Sequence, residues 1–177
     1  MSKKIAILRG INVGGKRKIL MKDLKILCEH LGLKEVQTYI QSGNVIFSST
    51  IQNAEIEVML EKAILEKFGF DVPVICRSSE ELQVSIRKNP FYEEDIDIKQ
   101  LHLTFLKEKP TNESLEKMSS FNFEPDQFII EDKEVFISCA GKYHQSKLTN
   151  HFFEKKLNVG ATTRNWKTVL KLQELSS

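Results

Sequence analysis

The sequence has no apolar run approaching the roughly 18 residues that cross a bilayer. Its N-terminal apolar stretch ends at Arg9, short of a secretory core of about 7 to 15 residues. Together these absences predict a cytoplasmic protein without a membrane segment. Cysteine is scarce: Cys28, Cys76 and Cys139 are odd in number, widely spaced and set among apolar residues. They read as buried thiols in a reducing compartment, not as a disulfide framework. The four histidines, His30, His102, His144 and His151, have no ligand spacing with one another or with the cysteines, so no metal is expected. Paired carboxylates are lacking outside Glu93-Glu94-Asp95-Ile-Asp97, which reads as a solvated surface linker. No catalytic residue is nominated, and no cofactor is assigned.

What is present is charge at the two ends. Residues 1–20 carry Lys3, Lys4, Arg9, Lys16, Arg17 and Lys18 with no acid, and residues 142–171 carry seven Lys or Arg against Glu154 alone. Under an overall charge of +2, the middle of the chain is therefore net acidic. A hydrophobic fraction of 41% and a charged fraction of 28% describe an ordinary globular chain and exclude a disordered one.

The order of elements is readable. Lys4–Leu8 is a short apolar strand ended by Gly10. Leu20, Leu24, Leu27, Cys28 and Leu31 recur at helical spacing before Gly32. Val36–Ile40 and Val45–Ser48 flank Gln41-Ser-Gly-Asn44 as a hairpin. Asn53–Phe68 is an amphipathic helix closed by Gly69, and Val72–Cys76 is a fourth strand. The order β-α-β-β-α-β is the split unit of ferredoxin-like domains. After a helix near Ser79–Arg87 and the acidic run, the pattern restarts with a strand at Leu101–Leu106 and a helix at Thr111–Ser119. A hairpin of Gln127–Glu131 with Glu134–Cys139 and a helix from about Gln145 to Leu157 follow. No final strand is evident, and Thr163–Leu175 reads as a helix with Trp166, Val169 and Leu170 on its apolar face. The expected class is α+β: two ferredoxin-like βαββα(β) halves, antiparallel sheets with helices on one face, and a C-terminal helix. The expected divisions are residues 1–78, a helix and acidic linker at 79–98, and residues 99–177.

Ile5-Ala-Ile-Leu-Arg-Gly-Ile-Asn-Val-Gly-Gly15, Gln37-Thr-Tyr-Ile-Gln-Ser-Gly-Asn-Val-Ile-Phe47, Ser146-Lys-Leu148 and Thr162-Thr-Arg-Asn-Trp-Lys-Thr-Val169 carry a resemblance. They are similar to the signatures of a bacterial family catalogued as a domain of unknown function, number 1697. The resemblance spans essentially the whole chain, with the motifs in the expected order. It implies a cytoplasmic protein with a ferredoxin-like N-terminal half, and it implies no reaction. Lys167 departs from the small polar residue expected there and adds a positive charge beside Arg164.

Two motifs direct the functional reading. The loop Gly10–Lys18 follows a strand and precedes a helix, where backbone N–H groups and lysines can hold a phosphate. It has neither the Gly-Lys-Ser/Thr ending of a Walker loop nor the third glycine of a dinucleotide fingerprint. It also reads as a tight connection with positive φ at Gly14 and Gly15 and lysines in solvent. In Thr162-Thr-Arg-Asn-Trp166, a threonine N-cap would turn the first helical N–H groups outward beside Arg164, whose guanidinium grips carboxylate or phosphate with two parallel bonds. Trp166 suits either stacking on a ring or packing in the core. Gln41, Ser42 and Asn44 offer polar groups to a ligand, although turn geometry accounts for Gly43 and Asn44 without one.

The element order also raises RNA recognition by aromatics on the central strands. Those strands offer Phe47 and no second aromatic, which weakens that form of it. The leading reading is a site for a phosphate-bearing small molecule or nucleic acid. It is built from Arg9, Gly10, Asn12, Gly14, Gly15, Lys16, Arg17, Gln41, Ser42, Asn44, Thr163, Arg164, Asn165 and Trp166. The alternatives are a small-molecule enzyme at the same place, helped by Ser42, Asn44 or His144, and a protein-interaction module docking through the acidic run.

Overall fold

The computed structural model describes residues 1–177. The chain divides into two compact units, Met1–Val84 with Lys171–Ser177, and Ser85–Leu170. In the first unit, β1 (Ser2–Leu8), α1 (Met21–His30), β2 (Lys34–Tyr39), β3 (Asn44–Ser49), α2 (Asn53–Phe68) and β4 (Val74–Ser78) follow in order. The four strands form one antiparallel sheet ordered β2-β3-β1-β4. Ile5 lies opposite Ile46 on β3 and Arg77 on β4.

Alternation along the strands sends Ala6, Leu8, Val45, Phe47, Val74 and Cys76 to one face of that sheet. There they pack with Leu24 and Cys28 of α1 and Ile56, Leu60 and Ile64 of α2. Burial of these side chains is the main force holding helices to sheet, at about 25 cal/mol for each Å² removed from water. Gly69 ends α2 in the left-handed conformation at φ 74°, the stop that its position at the end of the apolar stripe predicts.

The second unit repeats the topology. After α3 (Ser79–Lys88) and a 3₁₀ turn at Ile98–Gln100 come β5 (Leu101–Leu106), α4 (Asn112–Met118), β6 (Gln127–Glu131), β7 (Glu134–Ser138), α5 (Asn150–Leu157), β8 (Ala161–Asn165) and α6 (Trp166–Ser176). Its sheet is ordered β6-β7-β5-β8, also fully antiparallel. Leu106, Val135, Ile137 and Ala161 face Met118 of α4 and Phe153 and Leu157 of α5. The structure is therefore α+β, with two ferredoxin-like halves and a C-terminal helix.

Three boundaries depart from the periodicity reading. β4 begins at Val74 because Pro73 has no N–H to give a ladder. The helix expected from Gln145 begins at Asn150, after a 3₁₀ turn at Tyr143–Gln145, and Thr149 caps it by accepting from the Phe152 N–H at 3.1 Å. The largest change is that the second half has its final strand: Ala161–Asn165 is β8, paired with β5, and the C-terminal helix begins at Trp166, not Thr163.

Candidate functional site

The N-terminal loop leaves the centre of the first sheet. Leu8 N–H donates to the Gly43 carbonyl at 2.8 Å and Arg9 N–H to the Pro73 carbonyl at 2.9 Å. Those bonds fix where the loop starts. Within it, Asn12 N–H bonds the Arg17 carbonyl at 3.1 Å and Lys16 N–H bonds the Val13 carbonyl at 3.0 Å. Gly14 and Gly15, at φ 57° and 73°, are the two central residues of a tight turn whose backbone twist requires positive φ at both. Ile11 and Ile19 are buried at either end and peg the loop to the core.

Asn12 locks the arrangement. Its Oδ1 accepts from the Ile19 N–H at 2.9 Å, and its Nδ2 donates to the carbonyls of Ile19 and Gln41, each at 2.9 Å. The outer edge is open: Lys16 and Lys18 are exposed, as are Val13 and Leu20, and nothing lies within 4 Å of where a side chain on Gly14 or Gly15 would start. Arg17 brings its Nη1 to 3.5 Å from the corresponding point on Gly10. The stretch from Arg9 to Lys18 thus carries four cationic residues and no acid, with Gly14 and Gly15 at its open turn.

The neighbouring β2–β3 turn is shaped mainly by its own packing. Gly43 has φ 83°, and a Cβ on it would lie 2.6 Å from Ile11 Cδ1 and 2.9 Å from Leu8 Cβ, so glycine is required twice over. Asn44 is fully buried, with Nδ2 donating to the Tyr39 carbonyl at 3.0 Å and to Ser42 Oγ at 3.2 Å. Gln41 presents its carbonyl to Asn12.

In the second unit, Thr162, Thr163 and Arg164 lie on β8. Thr163 Oγ1 sits 2.7 Å from Thr104 Oγ1 and donates to Asn150 Oδ1 at 2.6 Å, so it does not cap a helix. The cap is Asn165, whose Oδ1 accepts from the Thr168 N–H at 2.8 Å. Arg164 is 8% exposed and donates from Nη1 to Thr162 Oγ1 and to the Thr163 carbonyl. Loss of solvent brings its pKa down to about 10. Trp166 is fully buried, edge-on to Tyr92 with ring centroids 5.2 Å apart, and its Nε1 has no hydrogen-bond partner.

Burial pushes the Cys28 and Cys76 thiols up to about 12 and raises Cys139, so all three are protonated at neutral pH. His102 is stacked on Tyr143 at 4.4 Å and is held below its ordinary pKa by burial, while His144 is exposed in a 3₁₀ turn. No group of three or more His, Cys, Asp or Glu side chains is placed to hold a metal ion. No helix is long and apolar enough to cross a membrane.

No sequence motif marks a cavity of about 630 Å³ lined by Phe91, Phe121, Phe123 and Phe128 in the second unit. Its signal in the sequence is the aromatic density of Phe121-Asn-Phe-Glu-Pro-Asp-Gln-Phe128.

The family model described as "Protein of unknown function (DUF1697)" matches residues 1–136. The Ser146-Lys-Leu148 and Thr162–Val169 signatures lie beyond the matched segment. The solved structure of conserved bacterial protein SP0830 from Streptococcus pneumoniae is similar at a TM-score of 0.81. It has 22% identity and covers 99% of each chain, a likeness of fold. No curated protein matches.

Proposed function

The chain belongs to the DUF1697 family, whose function is unknown, and from that premise we propose that it binds a phosphate-bearing anion at the N-terminal loop of its first unit, in the cytoplasm. The observation that carries this reading is the open Gly14–Gly15 turn within a stretch that holds Arg9, Lys16, Arg17 and Lys18 and no acid, Lys16 and Lys18 being exposed. Asn12 clamps the loop in advance of any ligand. A preformed loop spares a ligand the cost of ordering it, and the cations supply field toward a phosphate. Arg164 and Trp166 are buried among their own neighbours, so the loop bears the weight of the proposal. The three buried, unpaired thiols suit a reducing compartment.

The test is thermal unfolding of the full chain, wild type and Lys16→Glu/Lys18→Glu, against inorganic phosphate, nucleotides, sugar phosphates and short RNA and DNA. A ligand present at about 100 times its dissociation constant adds roughly 2.7 kcal/mol to stability and raises the midpoint. The expected result is a rise with at least one ligand that the double variant loses, both lysines being exposed. Affinity falling steeply with salt would mark nucleic acid; a shallow fall would mark a small anion. No rise with any member of the panel would refute the reading.

A further inference from the structure

The cavity in the second unit combines aromatic and aliphatic side chains with neutral polar and acidic ones. Phe91, Phe121, Phe123 and Phe128 line it, Glu124 and Asp126 are its acidic lining residues, and no lysine or arginine is among them. The rings are held by one another: Phe121 and Phe123 stack with centroids 6.0 Å apart, and Phe123 and Phe128 lie 6.4 Å apart. Asp126 is fixed by accepting from the Ala140 N–H at 3.0 Å and from the Ser146 hydroxyl at 2.7 Å. An ammonium already lies against this aromatic group, with Lys156 Nζ 4.9 Å from the Phe121 centroid.

Aromatic faces carry negative quadrupole charge and attract cations, most strongly those with little hydration to lose. Apolar walls favour a ligand with an apolar body, and about 630 Å³ lies within the range of small-molecule sites. Carboxylates at the wall repel an anion. We propose that this cavity is a binding site for an organic cation with an apolar body, of the alkylated-ammonium class. The site is independent of the anion loop, lies in the other unit and selects the opposite charge.

The experiment is a titration of the full chain with benzyltrimethylammonium and with its uncharged isostere neopentylbenzene, followed by calorimetry and by methyl resonances of Leu115, Ile129 and Ile130. The expected result is saturable binding of the cation, about tenfold tighter than that of the isostere, with shifts centred on those three residues. Phe123→Leu should weaken the cation about tenfold. Glu124→Gln, at an exposed position that spares the fold, should weaken the cation and leave the isostere unchanged. Equal affinity for the two probes, absence of saturable cation binding, or undiminished cation affinity in Glu124→Gln would each overturn the proposal.

Discussion

Asn12 ties three backbone groups together with one side chain, and its own backbone sits at φ 55°. Asparagine tolerates that left-handed conformation better than most residues, so local conformation and hydrogen bonding favour the same residue. Replacing it separates the two contributions. Asn12→Gly keeps the backbone free of strain and removes the three side-chain bonds; Asn12→Ala removes the bonds and adds strain. Denaturant unfolding should show a loss of about 1–3 kcal/mol for Asn12→Gly, from an Ile19 N–H and two carbonyls left without their partner, and a larger loss for Asn12→Ala. A glycine variant as stable as wild type would mean that buried Ile11 and Ile19 hold the loop without the clamp. Asn12 was legible as part of a motif, but its inward-facing role was not, since the two carbonyls it reaches are 7 and 29 residues away.

At the scale of elements, each half protects the exposed edge of its last strand with a carboxylate from its second helix. β4 is an edge strand, and its outward N–H groups at Val74 and Cys76 are accepted by Glu61 Oε1 at 2.9 Å and Glu57 Oε1 at 2.8 Å, both on α2. β8 is the corresponding edge, where Glu154 of α5 accepts from the Ala161 N–H at 3.2 Å while Asn150 accepts from Thr163 Oγ1. The spacing i, i+4 recurs in both helices because it places two side chains on the same face. Covering an edge in this way also blocks pairing with another chain. Glu57→Ala should therefore cost about 1–3 kcal/mol by chemical denaturation, since it buries an N–H without an acceptor. Glu57→Gln retains an amide oxygen and should cost less; equal losses would assign the effect to packing or charge alone.

The same level explains what the sequence could reveal. Helices and hairpins with apolar stripes were readable because their pattern is local. β8 was not: Ala161-Thr-Thr-Arg-Asn165 has no apolar alternation, and its strand character comes from pairing with β5 some 60 residues earlier, including the Thr104–Thr163 contact. A threonine cap was a reasonable local assignment there, yet Asn165 competes for the same role and holds it.

Across the whole molecule, the open glycine turn lies in the first unit and the aromatic cavity in the second, so each proposed site has its own reporter. Cys28 and Cys76 are buried in the first unit and Cys139 in the second, all free and all protonated at neutral pH. A thiol reagent reaches them only when the surrounding structure opens, and a ligand that binds the closed form lowers the open population by the factor 1 + [L]/Kd. Native protein should resist a disulfide reagent that labels all three thiols in denaturant. A phosphate ligand at about 100 times its dissociation constant should slow labelling at Cys28 and Cys76 roughly a hundredfold without affecting Cys139. Benzyltrimethylammonium should do the reverse, as located by mass spectrometry of the trapped adducts. A phosphate ligand that protected Cys139 alone would move the anion site out of the N-terminal loop, because thermal unfolding reports that a ligand binds but not which unit it holds closed.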